Sequence, residues 1–228
     1  MSVSLEFSKN ANYYDSYNII QNRVIDKLLS SLKYEPKHIL DLGCGSGALC
    51  EKIYWNYKHF VGVDFASGML ELHPKSKKIE AIYGDFNDAT LFESLQTYSF
   101  EHLFSASALQ WATNLEQVFK NIASLNIPIS LAIFTSGTFQ TLNEVAGLKP
   151  LLRNKEELER LQKRYFDVKF EVISYKLEFD TTREMFRYIK KSGVSGSRNL
   201  LSFKETKRLM QEYPLHYLEF EVAFITSR

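Results

Sequence analysis

The stretch ILDLGCGSGA, residues 39–48, constrains the fold more than any other part of the chain, because an apolar run turns abruptly into a glycine-rich segment there. Glycine at 43, 45 and 47 permits backbone conformations that other residues avoid, and it lets a ligand approach the main chain closely. The run before it predicts a short buried strand, and the text after it predicts a helix. Strand, glycine loop and helix in this order indicate a nucleotide-binding α/β unit.

Two cofactors are compatible with the spacing of these glycines. The pattern Gly43-x-Gly45-x-x-Ala48 matches the dinucleotide fingerprint. The pattern Asp41-x-Gly43-x-Gly45-x-Gly47 matches a loop that binds S-adenosylmethionine. The glycines alone do not choose between them.

Short apolar segments recur about every 20 residues, separated by helical patterns, which predicts a parallel sheet with helices on both faces. These segments are HILDL, HFVGVD, KIEAIY, HLFSA and ISLAIF. Two later segments, FDVKFEVISYKLEF and LHYLEFEVAFITSR, alternate polar with apolar residues and predict an antiparallel pair at the edge. The predicted class is therefore α/β, doubly wound, with a mostly parallel sheet.

An aspartate ends each of the first three predicted strands: Asp41, Asp64 and Asp85. In a doubly wound sheet these ends share the ligand-binding edge. Asp64 can accept hydrogen bonds from both ribose hydroxyls, and Asp85 can accept one from an adenine amine beside the Phe86 ring. Asp41 would repel a pyrophosphate, at a cost of ~1 kcal/mol near a surface and more when desolvated. A cationic cofactor without pyrophosphate suits this acidic neighbourhood, which favours S-adenosylmethionine.

The glycine loop with Asp41, Asp64 and the Gly84-Asp85 pair resembles the class I methyltransferases over about residues 35–135. The resemblance implies seven strands in the order 3-2-1-4-5-7-6, with the seventh antiparallel. One departure is the text NIASLNIPISLAIF, which lacks the glycine turn that usually precedes the fifth strand. That loop lies away from the cofactor edge, so we expect only a structural consequence.

Further stretches resemble the malonyl-acyl-carrier-protein O-methyltransferases of biotin synthesis, over nearly the whole chain. They include YDSYNIIQNRVIDKLL, Gln110-Trp111, the Lys190–Gly193 stretch with Arg198 beyond it, and the final YPLHYLEFEVAFI. The trans-aconitate methyltransferases share Leu109-Gln110-Trp111, so that element alone does not separate the two groups. The resemblance implies methylation of the free carboxylate of a malonyl thioester.

A carboxylate is already ionised at pH 7, so this reaction requires no general base. We therefore nominate no catalytic histidine and expect surface or turn positions for the five histidines. The acceptor carboxylate needs a positioning group instead, and a tight Arg pair would also stabilise the charged ground state. The candidates for positioning are Tyr13, Tyr14, Gln21, Gln110, Trp111 and Arg153.

The predicted layout is a single domain over 1–228. It comprises an N-terminal helical lid (1–34), a cofactor-binding core (35–135) and an acceptor side (136–228) with a basic helical insertion at about 181–213. Residues 183–208 hold eight basic and two acidic side chains. Arg183, Arg187, Lys190 and Lys191 fall on one helical stripe, which with Arg198 is a candidate docking surface for an acidic acyl carrier protein.

Bulk properties exclude few functional classes. Net charge is +1 and no RNA-binding motif accompanies the basic stripe, so we expect no nucleic-acid partner. The two cysteines, Cys44 and Cys50, suggest neither a metal site nor a disulfide framework. We expect a cytoplasmic monomer with no membrane segment. The alternatives are a methyltransferase of a small free acid, a non-catalytic binding protein of this fold, and a nicotinamide-dependent enzyme.

Overall fold

A computed structural model describes residues 18–191 and 203–227, with the backbone alone at 190, 191 and 203. It contains one seven-stranded sheet in the order β3-β2-β1-β4-β5-β7-β6, which confirms the predicted order. The strands are β1 (His38–Leu42), β2 (His59–Asp64), β3 (Ile79–Tyr83), β4 (His102–Ala106), β5 (Ile129–Phe134), β6 (Lys169–Glu178) and β7 (Tyr217–Thr226). Strands β1 to β5 pair in parallel, whereas β7 runs antiparallel to both β5 and β6.

The described α-helices are α1 (Ile19–Ser30), α2 (Ala48–Lys52), α3 (Ser67–Leu72), α4 (Ala89–Leu95), α5 (Leu115–Ser124), α6 (Gln140–Ala146), α7 (Lys155–Gln162), α8 (Thr182–Lys191) and α9 (Phe203–Glu212). A 3₁₀ turn spans Leu109–Trp111. Sequence patterns predicted a longer α2, and they missed α4 and α6, which are seven residues each. Two turns of helix are too short to show a clear apolar period.

Both faces of the sheet are covered by helices, as predicted. One face packs against α4, α5 and α7, for example through Val118, Phe119 and Leu158. The other packs against α1 and α8 through residues such as Val24, Leu28 and Met185. Strand β5 is buried along its whole length, which explains why five of its six residues are apolar, and its one polar residue, Ser130, bonds to His102.

The loop before β5 replaces the expected glycine turn with asparagine. Asn126 adopts a φ of 50°, in the left-handed region that glycine usually occupies. Asparagine tolerates this conformation better than most residues because its short side chain can bond locally. The departure noted in the sequence is thus accommodated within the loop, and the strand that follows is intact.

None of the helices among the described residues is both long and apolar enough to cross a membrane. Cys44 and Cys50 are buried free thiols.

Candidate active site

A cavity opens at the carboxyl ends of β1, β2 and β4, where the sequence predicts a ligand-binding site. Its lining comprises Asn18, Gln21, Ile25, Asp41, Gly43, Cys44, Gly45, Ser46, Ala48, Leu49, Asp64, Phe65, Met69, Phe86, Ala106, Ser107, Ala108 and Trp111. Neither lysine nor arginine occurs among these residues. The ionisable side chains of the described lining that can carry a charge at neutral pH are therefore the two carboxyl groups of Asp41 and Asp64, and its other polar groups are neutral.

The glycine loop forms one wall of the cavity and is tied to β2. Gly43, Gly45 and Gly47 all have positive φ, at 77°, 54° and 95°. The backbone amides of Gly43 and Cys44 donate to the Val63 carbonyl at 2.8 and 3.1 Å. A Cβ on Gly43 would lie 2.2 Å from the Ala108 Cβ, so only glycine permits this approach of the loop to the segment after β4.

Asp64 closes the loop from the end of β2. Its Oδ2 accepts from the Gly45 amide at 2.9 Å, and its Oδ1 accepts from the Ala66 amide at 2.8 Å. Burial raises the pKa of Asp64, while these backbone donors act in the opposite direction. The carboxylate is thus held in a fixed orientation, with lone pairs left for a ligand.

Asp41 is the most perturbed acid of the site. It is 2% exposed, and its Oδ1 is buried without a hydrogen-bond partner. Burial, and secondarily the charge of Asp64, raises the pKa of Asp41 to about 8. A buried carboxyl oxygen without a partner is unusual in a native protein and marks a place for a ligand group.

Two further orphaned atoms belong to residues of the same lining. The Gln21 Oε1 and the Ser107 Oγ are buried and have no hydrogen-bond partner. Gln21 comes from α1 and Ser107 from the end of β4, so the helix and the sheet each contribute one. With Asp41, three residues that line one cavity each carry a buried polar atom without a partner.

The structure brings seven of the predicted site residues to this lining: Gln21, Asp41, Gly43, Gly45, Asp64, Phe86 and Trp111. It places Gly47 behind the lining, where a Cβ would meet Pro74 at 2.3 Å. That the helix carrying Gln21 acts as a lid stays a prediction.

Three other predicted residues lie outside the described lining, each for a local reason. Asp85 is exposed and accepts from the Asn87 amide and side chain, because it begins a turn. Gln110 folds back to donate to the Ser107 carbonyl at 2.6 Å. Arg153 donates to the Ala112 carbonyl at 3.1 Å and pairs with Glu157, facing a separate groove.

The remaining candidates belong to the lid and the basic stripe. Tyr13, Tyr14 and Arg198 lie outside the described residues, and Lys190 and Lys191 are described by backbone alone. Arg183 and Arg187 are exposed on α8, whose opposite side carries the fully buried Met185.

The expectation that all histidines occupy surface or turn positions is wrong for His102, which lies in the buried strand β4; His73 lies at the bend that ends α3, but it is buried there. His73 and His102 are each 2% exposed. The His102 ring bonds to Ser130 and Tyr34, and burial lowers its pKa to about 4. The His73 ring packs under the glycine loop, with Nε2 unpartnered and Nδ1 3.0 Å from the Pro74 carbonyl. Burial also lowers the pKa of His73.

Sequence reasoning missed Asn18, Phe65, Met69, Ser107 and Ala108 in the lining. Phe65 follows Asp64 directly, so the strand-end position could have indicated it. No sequence signal marked Ser107, whose φ of 63° follows from the path of the chain after β4. Within the described parts of the chain, no group of three or more His, Cys, Asp or Glu side chains could hold a metal ion.

Comparisons with known proteins agree with this geometry. Residues 39–128 match the family model described as a methyltransferase domain. Malonyl-[acyl-carrier protein] O-methyltransferase of Halorhodospira halophila is 26% identical, covering 93% of this chain and 79% of the relative. The enzyme of the same name from Acetivibrio thermocellus is 28% identical, with coverage of 99% and 93%.

Solved structures share the fold at low sequence identity. The YcgJ protein of Bacillus subtilis superposes with a TM-score of 0.61 at 11% identity, covering 90% of this chain and 99% of that one. Phosphoethanolamine N-methyltransferase 2 of Haemonchus contortus, in complex with S-adenosyl-L-methionine, gives 0.57 at 15% identity, with coverage of 96% and 57%. Residues 39–128 match a methyltransferase domain, the sheet has the strand order expected for the class I methyltransferases, and the chain as a whole resembles the malonyl-acyl-carrier-protein O-methyltransferases.

Proposed function

We propose that the cavity binds S-adenosylmethionine and that the enzyme methylates the free carboxylate of malonyl-acyl carrier protein. The product would be the methyl ester, a neutral primer for the pimeloyl stage of biotin synthesis. The observation that carries the cofactor assignment is the buried, unpartnered Asp41 carboxyl beside Asp64, in a described lining without lysine or arginine. The names of the relatives support the choice of acceptor.

The charge of the lining separates this cofactor from a dinucleotide. A pyrophosphate at the glycine loop would meet two buried carboxyl groups, and at such sites repulsion is screened much less than at a surface. An ammonium or sulfonium group instead stabilises the ionised form of Asp41, whose pKa burial has raised to about 8. The residues present therefore fit a cationic cofactor.

Each residue of the cofactor side has a definite task under this proposal. Asp64, oriented by the Gly45 and Ala66 amides, would accept the ribose hydroxyls. Asp41 would face the charged amino-acid end, and Phe86 would line the adenine ring. Bound there, the cofactor supplies an electrophilic methyl group on sulfur.

The acceptor side requires alignment and exclusion of water, not a proton acceptor. A carboxylate is ionised at pH 7, so its oxygen is already the nucleophile. The barrier falls when oxygen, methyl carbon and sulfur are held in line and the nucleophile loses its hydration. Gln21 and Trp111 offer uncharged donors for that alignment, and Leu49 and Met69 contribute apolar surface.

The exposed side of α8 supports a carrier-borne substrate. Arg183 and Arg187 are exposed while Met185 anchors the helix in the core, so these two arginines face outward. Acyl carrier proteins are acidic, and a complementary basic surface raises the rate of productive encounter. A small free acid would gain much less from such a surface, which favours the carrier over the free-acid alternative.

The direct test is mass spectrometry of malonyl-acyl carrier protein after incubation with enzyme and S-adenosylmethionine. We expect a gain of one methylene on the acyl group and none on acetyl-acyl carrier protein, which lacks the free carboxylate. Parallel calorimetry with S-adenosylhomocysteine and NAD tests the cofactor. Binding of NAD alone, or cofactor binding with no transfer to malonyl carriers or free acids, would contradict the proposal. Expression of the enzyme in a biotin-requiring strain, with growth without biotin as the readout, would test the pathway.

The docking surface is tested by reversing the charge of Arg183 and Arg187 to Glu. We expect kcat/KM for malonyl-acyl carrier protein to fall roughly tenfold or more at low salt, with a much smaller change for malonyl-coenzyme A. The control reverses Lys33, exposed in the loop after α1, and Lys120, exposed on α5, and so makes the same change in net charge. Equal losses in both pairs, or none in either, would refute docking at α8.

A further inference from the structure

Ser107 has a backbone conformation that serine rarely adopts. It follows β4 directly, and its φ of 63° lies in the left-handed region. Two hydrogen bonds hold it there: its amide donates to the Ala132 carbonyl at 2.9 Å, and its carbonyl accepts from the Gln110 Nε2 at 2.6 Å. Strain of this kind persists where surrounding structure imposes it, and it concentrates at functional sites.

The Ser107 hydroxyl is also unsatisfied. Its Oγ is buried and has no hydrogen-bond partner, although Ser107 lines the candidate cavity. The next residue, Ala108, packs against Gly43, so the position of Ser107 is fixed relative to the glycine loop. A buried hydroxyl without a partner indicates that a ligand group supplies the missing hydrogen bond. The strained backbone of the same residue is typical of a functional site.

The location of Ser107 indicates which ligand group that is. The two acids lie at the ends of β1 and β2, whereas Ser107 lies at the end of β4, in the segment that leads to Trp111. A hydroxyl can donate to a carboxylate without adding charge, so it orients the nucleophile with little extra stabilisation of its ground state. The described lining holds no lysine or arginine that could do this instead.

We propose that the Ser107 hydroxyl donates a hydrogen bond to the acceptor carboxylate and holds its second oxygen, so that the first faces the methyl group. Ser107 is then a contact residue for the acceptor and not for the cofactor. This inference rests on the proposed carboxyl methyltransferase function, and it adds Ser107 to Gln21 and Trp111 as a residue that positions the nucleophile.

The test compares Ser107→Ala, which removes only the hydroxyl, with Ser107→Gly, which also relieves the positive φ. Both should lower kcat/KM for malonyl-acyl carrier protein roughly 10- to 100-fold, as for loss of a hydrogen bond to a charged group. Both should keep the wild-type affinity for S-adenosylhomocysteine. Ser107→Gly should in addition raise Tm, so that it is more stable and less active than the wild type.

Asn126→Gly is the matched control, because Asn126 also has a positive φ but is exposed in the loop before β5. It should raise Tm and leave kcat/KM unchanged. Wild-type kcat/KM in both Ser107 variants would overturn the inference, and so would a loss of S-adenosylhomocysteine affinity as large as the loss of activity. A wild-type enzyme that binds S-adenosylhomocysteine but methylates no carboxylate would instead refute the proposed function, and the Ser107 assignment with it.

Discussion

Cofactor affinity should depend on pH through Asp41. In the free protein the pKa of this carboxyl is about 8, because burial and the neighbouring Asp64 charge disfavour ionisation. A ligand ammonium beside it requires the ionised form, so binding releases a proton below pH 8. S-adenosylhomocysteine is a suitable ligand, since its α-amino group stays charged below about pH 7.

The size of the effect follows from the pKa. If only the ionised form binds, the apparent Kd exceeds its limiting value by 1 + 10^(pKa − pH), which is roughly 300-fold at pH 5.5 and roughly 11-fold at pH 7. The affinity should therefore rise about 30-fold between these pH values, or ~2 kcal/mol. Titration calorimetry in buffers of different ionisation enthalpy should show close to one proton released per ligand bound.

Asp41→Asn provides the control, because it keeps the shape of the side chain and removes the titration. Its Kd should be nearly flat over the same range, and weaker than that of the wild type at pH 7. A wild-type Kd that does not change between pH 5.5 and 7, or an Asp41→Asn variant whose Kd keeps the wild-type dependence on pH, would refute this role of Asp41. Asp41→Asn should also unfold at a higher temperature than the wild type at pH 8, since a raised native pKa reduces stability as pH rises toward it.

Two further predictions concern the loop and its support. Gly43→Ala should destabilise the protein more than Gly45→Ala in urea unfolding, by about 1–3 kcal/mol, because both have positive φ but only a Cβ at 43 would overlap Ala108. Equal losses would show that the close approach to Ala108 is not limiting. The lowered pKa of His73 means that the wild type should lose stability as pH falls below about 6.5, where the unfolded chain takes up a proton first. His73→Phe should not lose the stability that protonation of His73 costs the wild type, so the difference in Tm between the two proteins should change from pH 7 to pH 5. A difference in Tm that stays constant would contradict this role of His73.

The positions of the strands and the acidic cofactor edge could be predicted from the sequence because their signals are local, whereas the order of the strands came from the resemblance to the class I methyltransferases. Apolar runs that end in Asp41 and Asp64, with glycine between them, specify both the strand and the residue at its end. The burial of those strands on both faces explains why their sequences are almost wholly apolar. Asp85 shows the limit of this reasoning, since it ends a strand region in the same way and yet turns toward solvent to cap a turn.

The side chains on the acceptor side were harder to predict because long-range packing places them. Gln110 and Arg153 are chemically suitable donors, but each satisfies a nearby backbone carbonyl instead. Whether Gln21 reaches the cavity depends on how α1 packs against the sheet, and this packing cannot be predicted from the sequence of α1 alone. His73 was expected at the surface or in a turn, and nothing near it in the chain shows that it is buried under the glycine loop.

The sequence alone determined the fold class, the position of the glycine loop and the acids that favour a cationic cofactor. Each of these can be recognised from a short contiguous stretch of residues, such as an apolar run followed by an acid or by glycine. Only the tertiary structure decided that Asp41 lacks a partner, that the Ser107 backbone is strained and that the buried Ser107 hydroxyl is unsatisfied. The physical reason is that burial and hydrogen bonding are properties of the assembled surroundings. Ser107 is held by hydrogen bonds from its amide to the Ala132 carbonyl and from Gln110 Nε2 to its own carbonyl. The close approach of Ala108 to Gly43 fixes its position relative to the glycine loop.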